Sequence, residues 1–320
     1  MAHRTQMVSL VIPIYNEQEV LSRFHQAALA AMEPTNLPWE FIYVDDGSRD
    51  QSLPLLLELK TADDRVRVVE LSRNWGHQAA ITAGLSVARG DAVVMIDGDL
   101  QDPPSVVPLM LKEWMNGAEV IVAQRKSRAE HGFRKHVIPL FYRALGFLSD
   151  YPIPLNTGIF GLMDRRAVDA VLQLTETNRY LPGLRAWVGF RTSVVFYDRE
   201  DRASGEPKQT FSRLLKYALD AIFSFSYKPL RLTLFVGLTT AAISLLVGIF
   251  IIVCRILGIG LFGSPLVYGW TSTVMFIILL AGVQLTSLGI LGEYIGRIYD
   301  EVKRRPLFLI RKIHEKEGKG

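Results

Sequence analysis

Leu232 to Cys254 is a run of 23 residues without a charge, bracketed by Arg231 and Arg255. No other feature of the chain restricts its possible folds so strongly. About 20 apolar residues cross a hydrocarbon core, and a buried helix of this length and uniformity is unusual in a soluble domain. Ile256 to Gly292 is also free of charge. It opens with Gly258, Gly260, Gly263 and Pro265, the composition of a short loop, and Thr271 to Leu291 is long enough for a second span. The sequence predicts two transmembrane helices, at about 232–254 and 270–292, within a membrane region 230–293. Tyr268 and Trp270 suit the interfacial belt. Gln284 can hydrogen-bond to another helix or face a neighbouring subunit, or simply be tolerated. Lys228 and Arg231 precede the first span, and Arg297, Lys303, Arg304, Arg305, Arg311 and Lys312 follow the second. That bias predicts a multi-pass membrane protein with both termini and the N-terminal domain in the cytoplasm. Met1 to Met7 is polar and Val8 to Ile14 is too short for a signal peptide. The single cysteine, Cys254, allows no intramolecular disulfide.

Upstream, short β-branched runs alternate with amphipathic stretches. Strands are predicted at 8–12, 41–44, 66–71, 92–96 and 120–123, and helices at 17–32, 50–61, 78–88 and 105–114. The apolar runs are continuous, as in strands buried on both faces. The alternation predicts an α/β, Rossmann-like domain over 1–210 with a mostly parallel sheet. Ligands bind such sheets at the carboxyl ends of the strands, and the polar clusters fall there: Tyr15-Asn16-Glu17, Asp45-Asp46-Gly47-Ser48, Ser72-Arg73-Asn74, Asp97-Gly98-Asp99 and Gln124-Arg125-Lys126. Two basic, aromatic amphipathic stretches, 130–148 and the juxtamembrane 211–229, read either as surface helices packed on the domain or as helices in the membrane interface. Residues 294–320 read as a basic cytoplasmic tail. The formal net charge of +4 reads either as ordinary solvation or as attraction to anionic lipid. The first 200 residues hold no basic stripe interleaved with aromatics, which argues against nucleic acid.

Asp97 and Asp99 follow the run Val93–Ile96, so both carboxylates emerge at a strand end. They repel one another unless a cation sits near them. Hard oxygen ligands suit Mg²⁺ or Mn²⁺, which keep waters and bind substrate phosphates; Gln101 can add a carbonyl oxygen. Asp45 suits hydrogen bonds from a nucleobase or ribose. Asp46 and Ser48 can instead cap a helix starting near Asp50.

Val-Ile-Pro-Ile-Tyr-Asn-Glu (11–17), Val-Asp-Asp-Gly-Ser (44–48), Arg-Asn-Trp-Gly-His (73–77), Asp-Gly-Asp-Leu-Gln-Asp-Pro-Pro (97–104) and Leu-Met-Asp-Arg-Arg (162–166) resemble the family 2 glycosyltransferases of the GT-A fold, and within them the polyprenyl-phosphate sugar transferases. The likeness continues through Arg202–Lys208, Phe223–Ser226 and Gly292–Arg297, and so covers nearly the whole chain. It implies that Pro13, Tyr15, Glu17, Asp45 and Asp97 hold a nucleotide sugar. It implies that Asp97, Asp99 and Gln101 hold Mg²⁺ or Mn²⁺, and that Asp99, Arg125, Lys135 and Arg202 serve catalysis at the donor diphosphate and the lipid phosphate. Arg125 or Lys135 taken alone also reads as a solvated charge. The implied reaction moves a hexose, first of all glucose from UDP-glucose, onto polyprenyl phosphate with inversion. A GDP-mannose or modified-sugar donor is the alternative, and a non-catalytic membrane scaffold the reading from another class. A homo-oligomer, such as a tetramer, is implied in the same way. One departure stands out: many relatives carry Gly-Asp-Phe-Arg where this chain has Gly158-Ile159-Phe160-Gly161. Ile159 cannot accept a proton, so a base at that position is excluded. None is required if the nucleophile is a phosphate monoester, whose second pKa is about 6.

Overall fold

The computed structural model describes residues 6–125, 157–177, 179–198, 228–257 and 269–316. The stretch 130–148 and residues 211–227 of the juxtamembrane stretch, with Lys135 and Arg202, lie outside these; the last two juxtamembrane residues, Lys228 and Pro229, begin a helix. In chain order come β1 (Val8–Ile14), α1 (Leu21–Met32), β2 (Trp39–Asp45), α2 (Ser52–Ala62), β3 (Val66–Leu71), α3 (His77–Val87), β4 (Ala92–Met95), α4 (Val107–Met115) and β5 (Val120–Arg125). Then follow β6 (Thr157–Asp164), α5 (Arg165–Gln173), α6 (Leu181–Trp187), β7 (Thr192–Tyr197), α7 (Lys228–Ile256), α8 (Gly269–Val302) and β8 (Ile310–His314).

The eight strands form one sheet in the order β7-β5-β6-β4-β1-β2-β3-β8. β1 pairs in parallel with β2 and β4, β2 with β3, and β5 with β7. β6 and β8 run antiparallel to their neighbours. The predicted mostly parallel α/β sheet is therefore present. The strands that supply its antiparallel pairs, β6 and β8, were not predicted. Every residue of β1 and β2 is buried, as expected for strands covered on both faces; the polar Ser9 and Glu40 are buried together, with Ser9 Oγ donating to Glu40 at 2.6 Å. One face carries α1, α2 and α4 through Phe24, Leu56 and Met110; the other carries α3, α5 and α6 through Ile81, Val168 and Leu184. A Cβ on Gly84 would lie 2.3 Å from Val11 Cγ1, so α3 approaches the sheet more closely than any side chain allows.

α1 and α2 start later than predicted. α1 begins at Leu21 and α2 at Ser52, because the residues before them tie two strand-end loops together. Asn16 N–H donates to Ser48 Oγ (3.1 Å), Arg49 N–H to Asn16 Oδ1 (2.8 Å) and Glu17 N–H to Ser52 Oγ (2.9 Å).

β8 arises from the segment read as a basic tail. Its basic residues are spent on the sheet edge: Arg311 pairs with Glu70 (3.0 Å), His314 with Glu70 (3.2 Å) and Lys316 with Asp64. Glu315 meets the buried Arg67 at 2.9 Å. Ile310 lies opposite Leu71 and His314 opposite Val68, so the chain joins the sheet at the edge where β1, β2 and β4 end. Only residues 303–309 separate β8 from α8, a reach of roughly 28 Å at full extension. Thr177 N–H also donates to Glu301 of α8 at 3.0 Å. Among the described residues one stretch, Leu279–Val302, is long and apolar enough to cross a membrane, and none of it is buried. It lies closer to the C-terminus than the predicted 270–292. α7 is a 29-residue helix that exposes Leu234, Phe235, Leu245 and Leu246.

Candidate active site

The carboxyl ends of β1, β2, β4 and β5, with the segment after β3, gather the polar groups. Asp45 ends β2 and is 1% exposed; its carboxylate accepts from Ser48 N–H at 3.3 Å. Burial raises its pKa above the ordinary value, against the hydrogen bonds from Ser48. Asp46, also buried, accepts from Trp75 N–H (2.7 Å) and Gly76 N–H (3.0 Å). Neither Asp46 nor Ser48 caps α2. The nearest such contact comes from Asp50, which accepts from Ser52 N–H at 2.9 Å. Asp46 instead fixes the segment leading into α3. Gly47, at φ +69°, allows this approach, since a Cβ there would lie 2.6 Å from the Arg73 carbonyl carbon.

The segment so held delivers His77 to Asp97. His77 Nε2 lies 2.7 Å from Asp97 Oδ1, with both side chains partly exposed. Burial lowers the imidazole pKa, but the hydrogen bond to Asp97 and the charges of Asp97, Asp46 and Asp99 outweigh it and leave it raised. Asp99 Oδ1 accepts from Gln101 N–H at 3.0 Å across Leu100, whose φ is +60°. Tyr15 is 42% exposed beside Asn16 and Glu17 at the end of β1. Pro13 is buried inside β1 opposite Val44. Its missing N–H breaks no ladder on the β4 side, where pairing stops at Val11.

At the end of β5, Arg125 lies opposite Tyr197 of β7. Arg125 Nε donates to Tyr197 Oη at 3.0 Å and Nη2 to Asp102 Oδ1 at 3.2 Å, while Tyr197 donates to the same Asp102 oxygen. Burial and the Asp102 hydrogen bond push the Tyr197 phenol up to about 12. Asp102 and Gln101 are both buried.

The structure thus gathers Tyr15, Glu17, Asp45, Asp97, Asp99, Gln101 and Arg125 at one edge of the sheet. Asp164, within the Leu-Met-Asp-Arg-Arg motif, lies instead opposite Ala92 at the other end, where it caps α5 through Arg166 N–H at 3.0 Å and accepts from Trp114 Nε1 at 2.9 Å. A cleft of about 390 Å³ opens there beside Glu119 and Arg166, which pair with one another at 3.2 Å; it is remote from the strand-end acids. His77, Asp102 and Tyr197 were not identified as site residues. His77 and Asp102 stand inside motifs quoted above, whereas Tyr197 gives no local signal.

Among the described residues no three His, Cys, Asp or Glu side chains converge as a metal cluster. The acids at the end of β4 fit a hard cation that takes most of its ligands from water and substrate phosphate.

The model of the glycosyl transferase family 2 matches residues 9–172. The chain is 41% identical to an uncharacterized glycosyltransferase of Bacillus subtilis, over 97% of this chain and 95% of that one. It is 41% identical to an uncharacterized glycosyltransferase of Synechocystis (95% and 94%) and 39% identical to a bactoprenol glucosyl transferase of a Shigella phage (96% and 98%). A mycobacterial glucosyl-3-phosphoglycerate synthase solved with Mn²⁺ and UDP-glucose aligns over 68% of this chain and 77% of that one at 17% identity and a TM-score of 0.44, too distant to carry an argument. With the family's region ending inside α5 and near-full-length relatives beyond it, this chain belongs to glycosyl transferase family 2 and is a sugar-transferring enzyme with a GT-A-type α/β sheet.

Proposed function

We propose that the enzyme transfers glucose from UDP-glucose to a polyprenyl phosphate at the cytoplasmic face of a membrane, with inversion and with a divalent cation. The observation that carries this reading is the polarity of β8: the chain leaves the apolar α8 and enters the sheet at the same edge as Asp45, Asp97 and Asp99. Such an edge would meet an acceptor whose tail lies in the bilayer. The near-full-length relatives named bactoprenol glucosyl transferases support the same acceptor class.

Tyr15, Glu17 and Asp45, with the backbone at Pro13, would take the base and ribose. Mg²⁺ or Mn²⁺ held by Asp97, Asp99 and Gln101 would neutralise the donor diphosphate and stabilise it as a leaving group. Arg125, Lys135 and Arg202 would meet phosphate oxygens, which lessens the repulsion between two anions. An ionised acceptor oxygen attacks the anomeric carbon, and the bond to the diphosphate breaks with its electron pair leaving on UDP. No protein group has to take a proton, in agreement with Ile159.

In this reading α7 and α8 are both spans. A second copy would pack along α8, where Gln284, Leu288, Leu291, Ile295, Ile298 and Val302 follow a 3-4 heptad spacing and are exposed, the last three beside Glu293, Arg297 and Asp300. Light scattering in detergent should give an oligomer that Ile298→Asp reduces to a monomer; an unchanged mass excludes that seam. Labelled donors supplied with polyprenyl phosphate test the main reading. Label should enter the lipid phase from UDP-glucose, and transfer from GDP-mannose alone would overturn the donor assignment.

A further inference from the structure

Arg185 of α6 is 4% exposed. Its Nη2 donates to the Gly158 carbonyl at 3.2 Å and its Nη1 to the Ile159 carbonyl at 3.3 Å. Among the described residues it forms no ion pair with a carboxylate, and burial pushes it down to about 10. Burying a cation without a counter-ion is unfavourable, and an apolar side chain of similar volume is often as stable or more so. Packing alone therefore does not explain an arginine here.

Its surroundings show what it does. The β5–β6 pairing shifts register between Val122 and Gln124, and the strand segment gripped by Arg185 lies in this irregular part. A Cβ on Gly161 would sit 2.7 Å from Arg185 Nη1 and 2.4 Å from the Ile121 carbonyl oxygen, so glycine clears the space for the guanidinium. On the other face, a Cβ on Gly158 would lie 4.0 Å from Arg125 Nη2. α6 is itself anchored beside His77, through Leu181 N–H to Gln78 Oε1 at 3.0 Å. The gap between Met95, Ile159, Leu181 and Arg185 has a volume of about 10 Å³, room for a water at most, so no substrate touches Arg185.

We propose that Arg185 is a positioning residue for donor binding, holding the Gly158 and Ile159 carbonyls so that the start of β6 stays fixed beside Arg125 and the Asp97 loop. This rests on the reading that the donor is a nucleoside diphosphate sugar. The test uses the full chain in lipid discs, with UDP and GDP as probes and the tighter one retained. Wild-type turnover with UDP-glucose reports on the donor reading, whereas the ratio of variant to wild-type nucleotide affinity reports on Arg185. Arg185→Met should bind the nucleotide at least tenfold more weakly, with a Tm equal to or above that of the wild type. Arg185→Lys, which cannot span both carbonyls, should weaken binding at least threefold. Wild-type affinity in Arg185→Met overturns the proposal, as does a lowered Tm with unchanged affinity in the folded fraction. Should the Met variant not fold, wild-type affinity in Arg185→Lys overturns it equally.

Discussion

Removing one oxygen tests whether Arg125 acts from a fixed position. Tyr197→Phe deletes the hydroxyl that donates to Asp102 and accepts from Arg125 Nε, but leaves the Arg125–Asp102 contact at 3.2 Å. Tyr197 is 5% exposed and Asp102 is 3% exposed, so water replaces the lost bonds poorly. One hydrogen bond to a charged group contributes about 1.5–3 kcal/mol, and the smaller figure is apt because Arg125 is 37% exposed on its side chain and Asp102 keeps a partner. Stability should fall by about 1.5–2 kcal/mol in denaturant titrations. Release of the guanidinium should lower kcat/KM for transfer by roughly tenfold, equivalent to about 1.4 kcal/mol. Asp102→Asn should lose more, because both donors then face a neutral acceptor. The double variant should be less impaired than the sum of the singles, since the three groups act as a unit. Unchanged kcat/KM in both single variants, with only a drop in stability, would refute the claim that this network orients Arg125.

Asp99→Ala, or excess chelator, should abolish transfer while circular dichroism and Tm stay near wild type; full turnover in chelator contradicts a metal at Asp97 and Asp99. Burial raises the Asp45 pKa in the folded protein, so the fold binds this proton more tightly than the unfolded chain does. The stability this contributes is complete below the ordinary Asp value and is lost as pH rises through the raised one. The Tm of wild type minus that of Asp45→Asn should therefore fall with rising pH across the carboxylate range, and a difference that rises instead contradicts the buried, proton-favouring site. Truncation after Leu309 removes β8 and uncovers the β3 edge with Glu70 and Arg67. It should increase protease sensitivity and aggregation, and a truncated chain as resistant as the full one would show that β8 is dispensable.

The part of the fold legible in sequence is the part whose signal is local. β1 to β5 are largely buried and appear as short apolar runs rich in β-branched residues. β6 is broken by Gly158 and by Gly161, the latter required by the close approach of Arg185 and the Ile121 carbonyl, so its sequence lacks that signature. β8 reads as a tail because Arg311, Lys312 and His314 outnumber its two isoleucines. Only the acids on β3 and the neighbouring loop, far away in sequence, turn that charge into an edge strand. The site divides in the same way. Asp97 and Asp99 announce themselves by following a strand, while Tyr197 reaches Arg125 through a parallel pairing between strands 72 residues apart. Pro13 matched a motif, but its physical place is inside the sheet, where the β4 ladder has ended.

The most direct test of the account is the product itself. Purified protein in bilayers containing polyprenyl phosphate, supplied with UDP-[¹³C]glucose and Mg²⁺ or Mn²⁺, should yield lipid-phase glucose joined through phosphate in the β configuration by NMR, inverted from the α-linked donor. An α-linked product, or label that never leaves the aqueous phase, would contradict it.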